Sequence, residues 1–191
     1  VKGKILVGVD NWIGYFPLCS PEMRKRMRHA GYNFQCEDDN ADYPGRMARL
    51  AKDDLQFAVA TVDSYLVNGR KVKFPGTIIA VIDESKGGDA IVAWQDRAKN
   101  LDKLKQGSGL TIAFTPDSPS HHLIKSAAVH FDIPALQRGS AAFRHTEGSS
   151  QALQWLLERK TDVAVLWEPD VTKALQQPGV VKLLGTEDTD K

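Results

Sequence analysis

The segment Thr115-Pro-Asp-Ser-Pro-Ser-His-His122 gathers hydroxyls, imidazoles and one acid at the expected start of a helix running to about residue 131. A helix N-terminus presents free N–H groups and about half a positive charge, which suits an anion. Ser118 is expected as the N-cap with Pro119 in the first turn, and Ser120 and His121 could add donors. An ordinary capped helix is the simpler alternative. Asp117 works against a fully anionic ligand, because an acid beside the site repels it.

A second constellation points to the opposite charge. Asp10, Asp63, Asp89 and Glu168 all fall at expected strand ends, with the aromatics Trp12, Tyr15 and Trp167 near them and Asn11 and Ser64 alongside. Acids and aromatics together suit an ammonium or a zwitterion, through ion pairing and cation–π contacts. Each acid could equally be a solvated loop residue or a helix cap.

Catalytic patterns are weaker. Ser118, Ser120, His121, His122 and Asp117 are neighbours in sequence, but a triad is a spatial arrangement. The chain has no Gly-x-Ser-x-Gly elbow, no His-Glu-x-x-His helix and no glycine-rich phosphate loop. His29, His130 and His145 read as surface residues, and Trp155 as packing on an amphipathic helix.

Composition bounds the classes of partner. The 191 residues are 42% hydrophobic and 26% charged, with a net charge of +1, which offers no electrostatic case for nucleic acid. No run approaches the roughly 18–20 apolar residues that span a bilayer. The chain opens on Val1 rather than Met, so its compartment is not read from a leader. No metal-ligand spacing is present, and no cofactor is implied.

The elements that must position these residues alternate strand and helix. An apolar run at 4–9 reads as a buried strand, and the loop 10–18 after it lies where ligands bind in open α/β sheets. Helices are expected at 21–30, 45–52, 101–106 (stopped by Gly107), 149–159 and from Pro169 to 176, and strands at 32–36, 57–62, 89–94, 109–114, 162–166 and 180–184. Arg24, Lys25, Arg26, Arg28 and His29 read as a solvated helix face. Residues 68–73 read as a surface connection, 74–81 as apolar and extended, and 83–88 as a glycine-rich crossover. A short similarity links Phe57-Ala-Val-Ala, then Asp63-Ser64, with Val163-Ala-Val-Leu, then Trp167-Glu168. This suggests two α/β lobes built alike, each on a parallel, doubly wound sheet.

Cys19 stands just before the first helix and Cys36 at the end of the following strand. In a βαβ unit both positions return to one edge of the sheet. A disulfide is therefore within geometric reach, worth roughly 3 kcal/mol in the chain-entropy model. Two free thiols are the alternative.

Taken in order, Val7-Gly-Val-Asp-Asn-Trp-Ile-Gly-Tyr-Phe-Pro-Leu18, Gly87-Gly-Asp-Ala-Ile-Val92 and Asp162-Val-Ala-Val-Leu-Trp-Glu-Pro169 resemble the periplasmic substrate-binding proteins of ABC-type importers, of the nitrate/sulfonate/taurine-like group. The resemblance covers nearly the whole chain. It implies a type II periplasmic binding fold: two Rossmann-like lobes with a hinge, lobe one at 1–84, lobe two at 85–183, and 184–191 starting the return to lobe one. It places Asn11, Trp12, Tyr15, Asp63, Ser64, Asp89, Ser118 to His121, Trp167 and Glu168 along the ligand cleft. The implied role is capture of a small polar, zwitterionic or amine-bearing solute outside the cytoplasm for an ABC-type permease, without catalysis. An enzyme using Ser118 and His121, and a ligand-sensing module of a larger envelope or regulatory protein, are the competing readings. Two departures stand out. Gln56 lies near where the family carries an acid, and family members continue well beyond residue 191. An incomplete first lobe would favour self-association.

Overall fold

The structure, a computed structural model, describes residues 2–106 and 109–189. The expected stop at Gly107 lies outside the described residues. The chain divides into two compact units, Val1–Glu84 and Ser85–Lys191.

Unit 1 is built on strand β1 (Gly3–Val9), which pairs in parallel with β2 (Tyr32–Asp38) on one side and β3 (Phe57–Ala58) on the other. Val7 and Val9 project to one face and join Phe34, Val59 and Tyr15 in a small core. After β1 come a 3-10 turn (Ile13–Tyr15), the short α1 (Phe16–Cys19) and α2 (Pro21–His29). Ser20 caps α2 by accepting from the Met23 N–H at 3.1 Å, with Pro21 in its first turn. Met23 and Met27 turn to the core while Arg24, Lys25, Arg26, Arg28 and His29 are exposed, the solvated face expected of them. Cys19 and Cys36 form a disulfide with Cα atoms 5.8 Å apart, tying the end of α1 to β2.

The other face of β1 is covered by α3 (Tyr43–Ala51), which buries Tyr43, Arg46 and Met47. Gly8 makes this packing possible: a Cβ there would stand 2.8 Å from Leu55 Cδ1 and 3.1 Å from Arg46 Cγ. Strand β3 is shorter than the expected 57–62, because only Phe57 and Ala58 pair and Val62 already begins α4 (Val62–Ser64). The stretch expected as a surface connection is instead a π-helical turn (Tyr65–Gly69) followed by a 3-10 turn (Arg70–Val72). Asn68 is buried there because its side-chain N–H donates to the Ser64 carbonyl at 2.9 Å.

Unit 2 holds a five-stranded sheet in the order β6-β5-β7-β4-β8. Its strands are β4 (Asp89–Trp94), β5 (Ile112–Phe114), β6 (Phe143–His145), β7 (Val163–Trp167) and β8 (Val180–Gly185). Strands β5, β6 and β7 run parallel, whereas β4 is antiparallel to both β7 and β8. The sheet is therefore mixed rather than wholly parallel. Its central strands are buried on both faces, which their unbroken apolar runs require. The helices are α5 (Leu101–Lys105), α6 (Pro119–His130), α7 (Gly148–Leu157) and α8 (Asp170–Leu175). Leu123, Ile124, Ala127 and Ala128 of α6 seal one face, and Ala152, Leu153 and Leu156 of α7 the other. The short similarity between the units does not extend to structure, since the first copy breaks off into α4 where the second continues to Trp167.

Candidate functional site

The acids at the strand ends are largely engaged. Asp10 follows β1 and is buried; one carboxylate oxygen accepts from Arg46 Nη1 at 3.1 Å and the other from the Trp12 N–H at 3.0 Å. Arg46 also grips Asp39 through Nε (2.6 Å) and Nη2 (2.5 Å) and donates to the Val59 carbonyl at 2.9 Å. Burial alone would lower the Arg46 pKa, but hydrogen bonds and charge from Asp39 and Asp10 outweigh it and hold the guanidinium protonated. Asp10 is thereby tied into the interior of unit 1, with both carboxylate oxygens engaged. Arg46 is absent from the sequence-based site because a lone arginine on a helix reads as solvent-facing. The available signal was Gly8, since a glycine inside a strand marks a close approach.

The aromatics divide in the same way. Tyr15 is buried beside Val7 and Val9. Trp12 is half-buried, and its indole N–H donates to Asp83 Oδ2 at 3.0 Å. That bond crosses Gly14, where any Cβ would collide with both partners. Asn11 is half-buried. Ser64 is buried and donates to the Thr61 carbonyl at 3.0 Å, while Asp63 lies half-buried in the first turn of α4.

In unit 2, Asp89 opens β4, buried, and accepts from the Ser85 hydroxyl. Trp167 ends β7 opposite Asp89 and is buried. The Glu168 carboxylate closes on the start of α8, accepting from the Thr172 N–H (3.0 Å) and hydroxyl (2.7 Å).

The start of α6 is different. Ser118 occupies the N-cap with an extended backbone, but its hydroxyl makes no cap hydrogen bond; it turns back and donates to the Thr115 carbonyl at 2.6 Å. Pro119 has no N–H, so the first helical donors are Ser120 and His121, and the Ser118 side chain caps neither. Ser120 is buried with its hydroxyl donating to the Val165 carbonyl at 3.1 Å, so it contributes backbone and not side chain. Thr115, just past β5, is buried with a hydroxyl oxygen that has no hydrogen-bond partner among the described residues. His121 Nδ1 accepts from the Asp117 N–H at 3.0 Å, which leaves the ring proton on Nε2. Burial, with Lys125 and His145 adding, lowers the His121 pKa against the opposing pull of Asp117. Ser118 and His121 thus hydrogen-bond to backbone groups, not to each other, and do not form a nucleophile–base pair.

No group of three or more potential metal ligands comes together among the described residues. None of the described helices is long and apolar enough to cross a membrane.

Solved structures decide the fold. The chain is similar to the periplasmic aliphatic sulphonate-binding protein SsuA of Escherichia coli, with 16% identity, a TM-score of 0.71, and 98% of this chain matched to 62% of that one. The alkanesulfonate-binding protein SsuA of Xanthomonas axonopodis pv. citri, bound to MOPS, gives 14% identity, a TM-score of 0.76, and coverages of 96% and 61%. This is a type II periplasmic binding protein fold. An ancestral arginine-binding protein shares it at 17% identity and a TM-score of 0.60, with 97% and 80% covered. The chain spans about three fifths of the length of the SsuA proteins it matches. No family model matches the chain, and no curated protein matches it in sequence.

Proposed function

We propose that the chain is the ligand-capturing part of a solute-binding protein, of the nitrate/sulfonate/taurine-like group, serving an ABC-type importer outside the cytoplasm. Its two lobes are residues 1–84 and 85–183. It binds a small solute by an anionic head group, delivers it to a membrane permease, and catalyses nothing.

The observation that carries this reading is the uncapped start of α6. A twelve-residue helix starts with its Ser118 side chain capping neither the Ser120 nor the His121 N–H, and the Thr115 hydroxyl just before it is buried without a hydrogen-bond partner among the described residues. The amine-binding alternative loses support, because Asp10 and Glu168 already have both carboxylate oxygens bonded. His121, neutral with its proton on Nε2, adds a donor without adding charge. The sulphonate-binding neighbours support the group assignment.

Calorimetric titration with short alkanesulfonates, inorganic phosphate and the matching alkylammonium ions tests the proposal. One of the anions is expected to bind and raise Tm without being consumed. Binding of the ammonium series alone, or turnover of a bound anion, would overturn it.

A further inference from the structure

His121 stands in the first turn of α6 and reaches back to the turn before it. Its Nδ1 accepts the Asp117 N–H at 3.0 Å, which keeps the ring proton on Nε2. An imidazolium carries a proton on both nitrogens and accepts nothing. A proton added at Nδ1 therefore breaks that bond. The same residue supplies a replacement, because Asp117 Oδ1 lies 3.7 Å from Nδ1, just beyond hydrogen-bond length. Asp117 also holds a left-handed backbone, with φ at 52°. A residue with a side chain stays there only where its contacts hold it, and the bond to Nδ1 is one of those contacts.

The surroundings admit the exchange. The side chains of His121 and Asp117 keep 21% and 34% of their surface exposed, so protons reach both. The Phe114 ring packs against the imidazole at 5.2 Å between centroids and brings no charge. The titratable groups that act on His121 are Lys125 one turn further along α6, His145 on β6, and Asp117. Burial, Lys125 and His145 oppose a charged ring and Asp117 favours it, with the balance below the ordinary 6.5.

We propose that His121 is a proton switch: near neutral pH its ring holds the Asp117 N–H, and in mild acid the imidazolium releases that N–H and pairs with the Asp117 carboxylate. The exchange stands on the ring geometry alone. Its effect on a ligand rests on the anion reading of α6. Near neutrality the Asp117 carboxylate faces an uncharged ring; in acid it faces a cation, so the helix start gains positive charge and repels an anion less. Capture is favoured in acid and release nearer neutrality.

Ring and amide resonances of a 15N-labelled sample, with no anion added, decide the exchange. Lowering the pH from about 8 to about 5 should turn Nδ1 of His121 from an acceptor into a protonated nitrogen. The midpoint should lie below 6.5, and the Asp117 amide should move upfield with that same midpoint. Asp117→Asn keeps the amide N–H and tolerates the left-handed backbone, but should lower the midpoint because the carboxylate no longer supports the charge. An Asp117 amide that stays in place while His121 titrates would overturn the switch, and so would a midpoint indifferent to Asp117→Asn. The first of these readings needs only the unaltered chain. Calorimetric titration with ethanesulfonate, which stays ionised throughout, reads the effect on a ligand. Its affinity should rise by about threefold or more between the two ends of the pH range, and His121→Asn should abolish that rise. Equal affinity at both ends would overturn the link between the switch and the anion. Absence of binding at either end would overturn the anion reading, while the ring and amide titration would still decide the switch.

Discussion

Unit 1 ends its first strand on an acid that is fully paired, while unit 2 ends β5 on a neutral hydroxyl that is not. Asp10 carries the stronger chemistry but is committed to the interior, since Arg46 lies against it with both side chains essentially buried. Thr115 carries a weaker group that is buried without a partner among the described residues, and the start of α6 is not capped by the Ser118 side chain. The difference teaches that a residue's suitability for a ligand depends on which partners the fold has already given it. A buried carboxylate with its guanidinium holds a unit together; an uncapped helix start with an idle hydroxyl can hold something else.

Removing Arg46 tests the structural side of this contrast with the largest expected effect. Arg46→Met strands Asp10 and Asp39 without a counter-charge, and denaturant unfolding should show a loss of about 3–5 kcal/mol. Reducing the disulfide should cost unit 1 about 3 kcal/mol, because a bond across 17 positions no longer restricts the unfolded chain; a thermal melt with and without reductant measures this. The serine pair sharpens the contrast. Ser20→Ala removes a working cap and should destabilise by about 1 kcal/mol. Ser118→Ala removes no cap from α6, and its cost should be that of one hydroxyl–carbonyl bond, about 0.5–1.5 kcal/mol.

The pH dependence belongs to unit 2. Burial holds the folded pKa of His121 below its ordinary 6.5, so the unfolded chain takes up the proton first. This contribution to stability is complete above 6.5 and is lost as pH falls from 6.5 towards the folded pKa. In His121→Asn the same window should be flatter in a pH series of melts. The smallest effect on stability is expected from Thr115→Val, because the deleted hydroxyl has no partner to lose. Stability should stay within about 0.5 kcal/mol or rise, while anion affinity falls in a calorimetric titration.

Much of the scaffold was legible in the sequence. The apolar run of β1, the Ser20-Pro21 start of α2 and the unbroken runs of β4 and β7 each carry a local signal that tertiary structure kept. Signals failed where long-range partners decide. Residues 57–62 read as one strand, but pairing with β1 stops at Ala58 and the Thr61 hydroxyl caps α4. The antiparallel run of β4 has no local signature at all. At the start of α6 the Ser118-Pro119 boundary was legible, yet the direction of the Ser118 hydroxyl depends on where the Thr115 carbonyl falls. Trp167 was legible as a strand end, but its depth of burial was not.

The central claim is that the start of α6 holds an anion. Amide chemical shifts in a 15N-labelled sample, followed while the best-bound anion of the panel is added, test it most directly. The Ser120 and His121 amides should move downfield and saturate together with the calorimetric isotherm, and Thr115→Val should shift both curves to higher concentration. Saturation of the isotherm while those two amides stay in place would contradict the account.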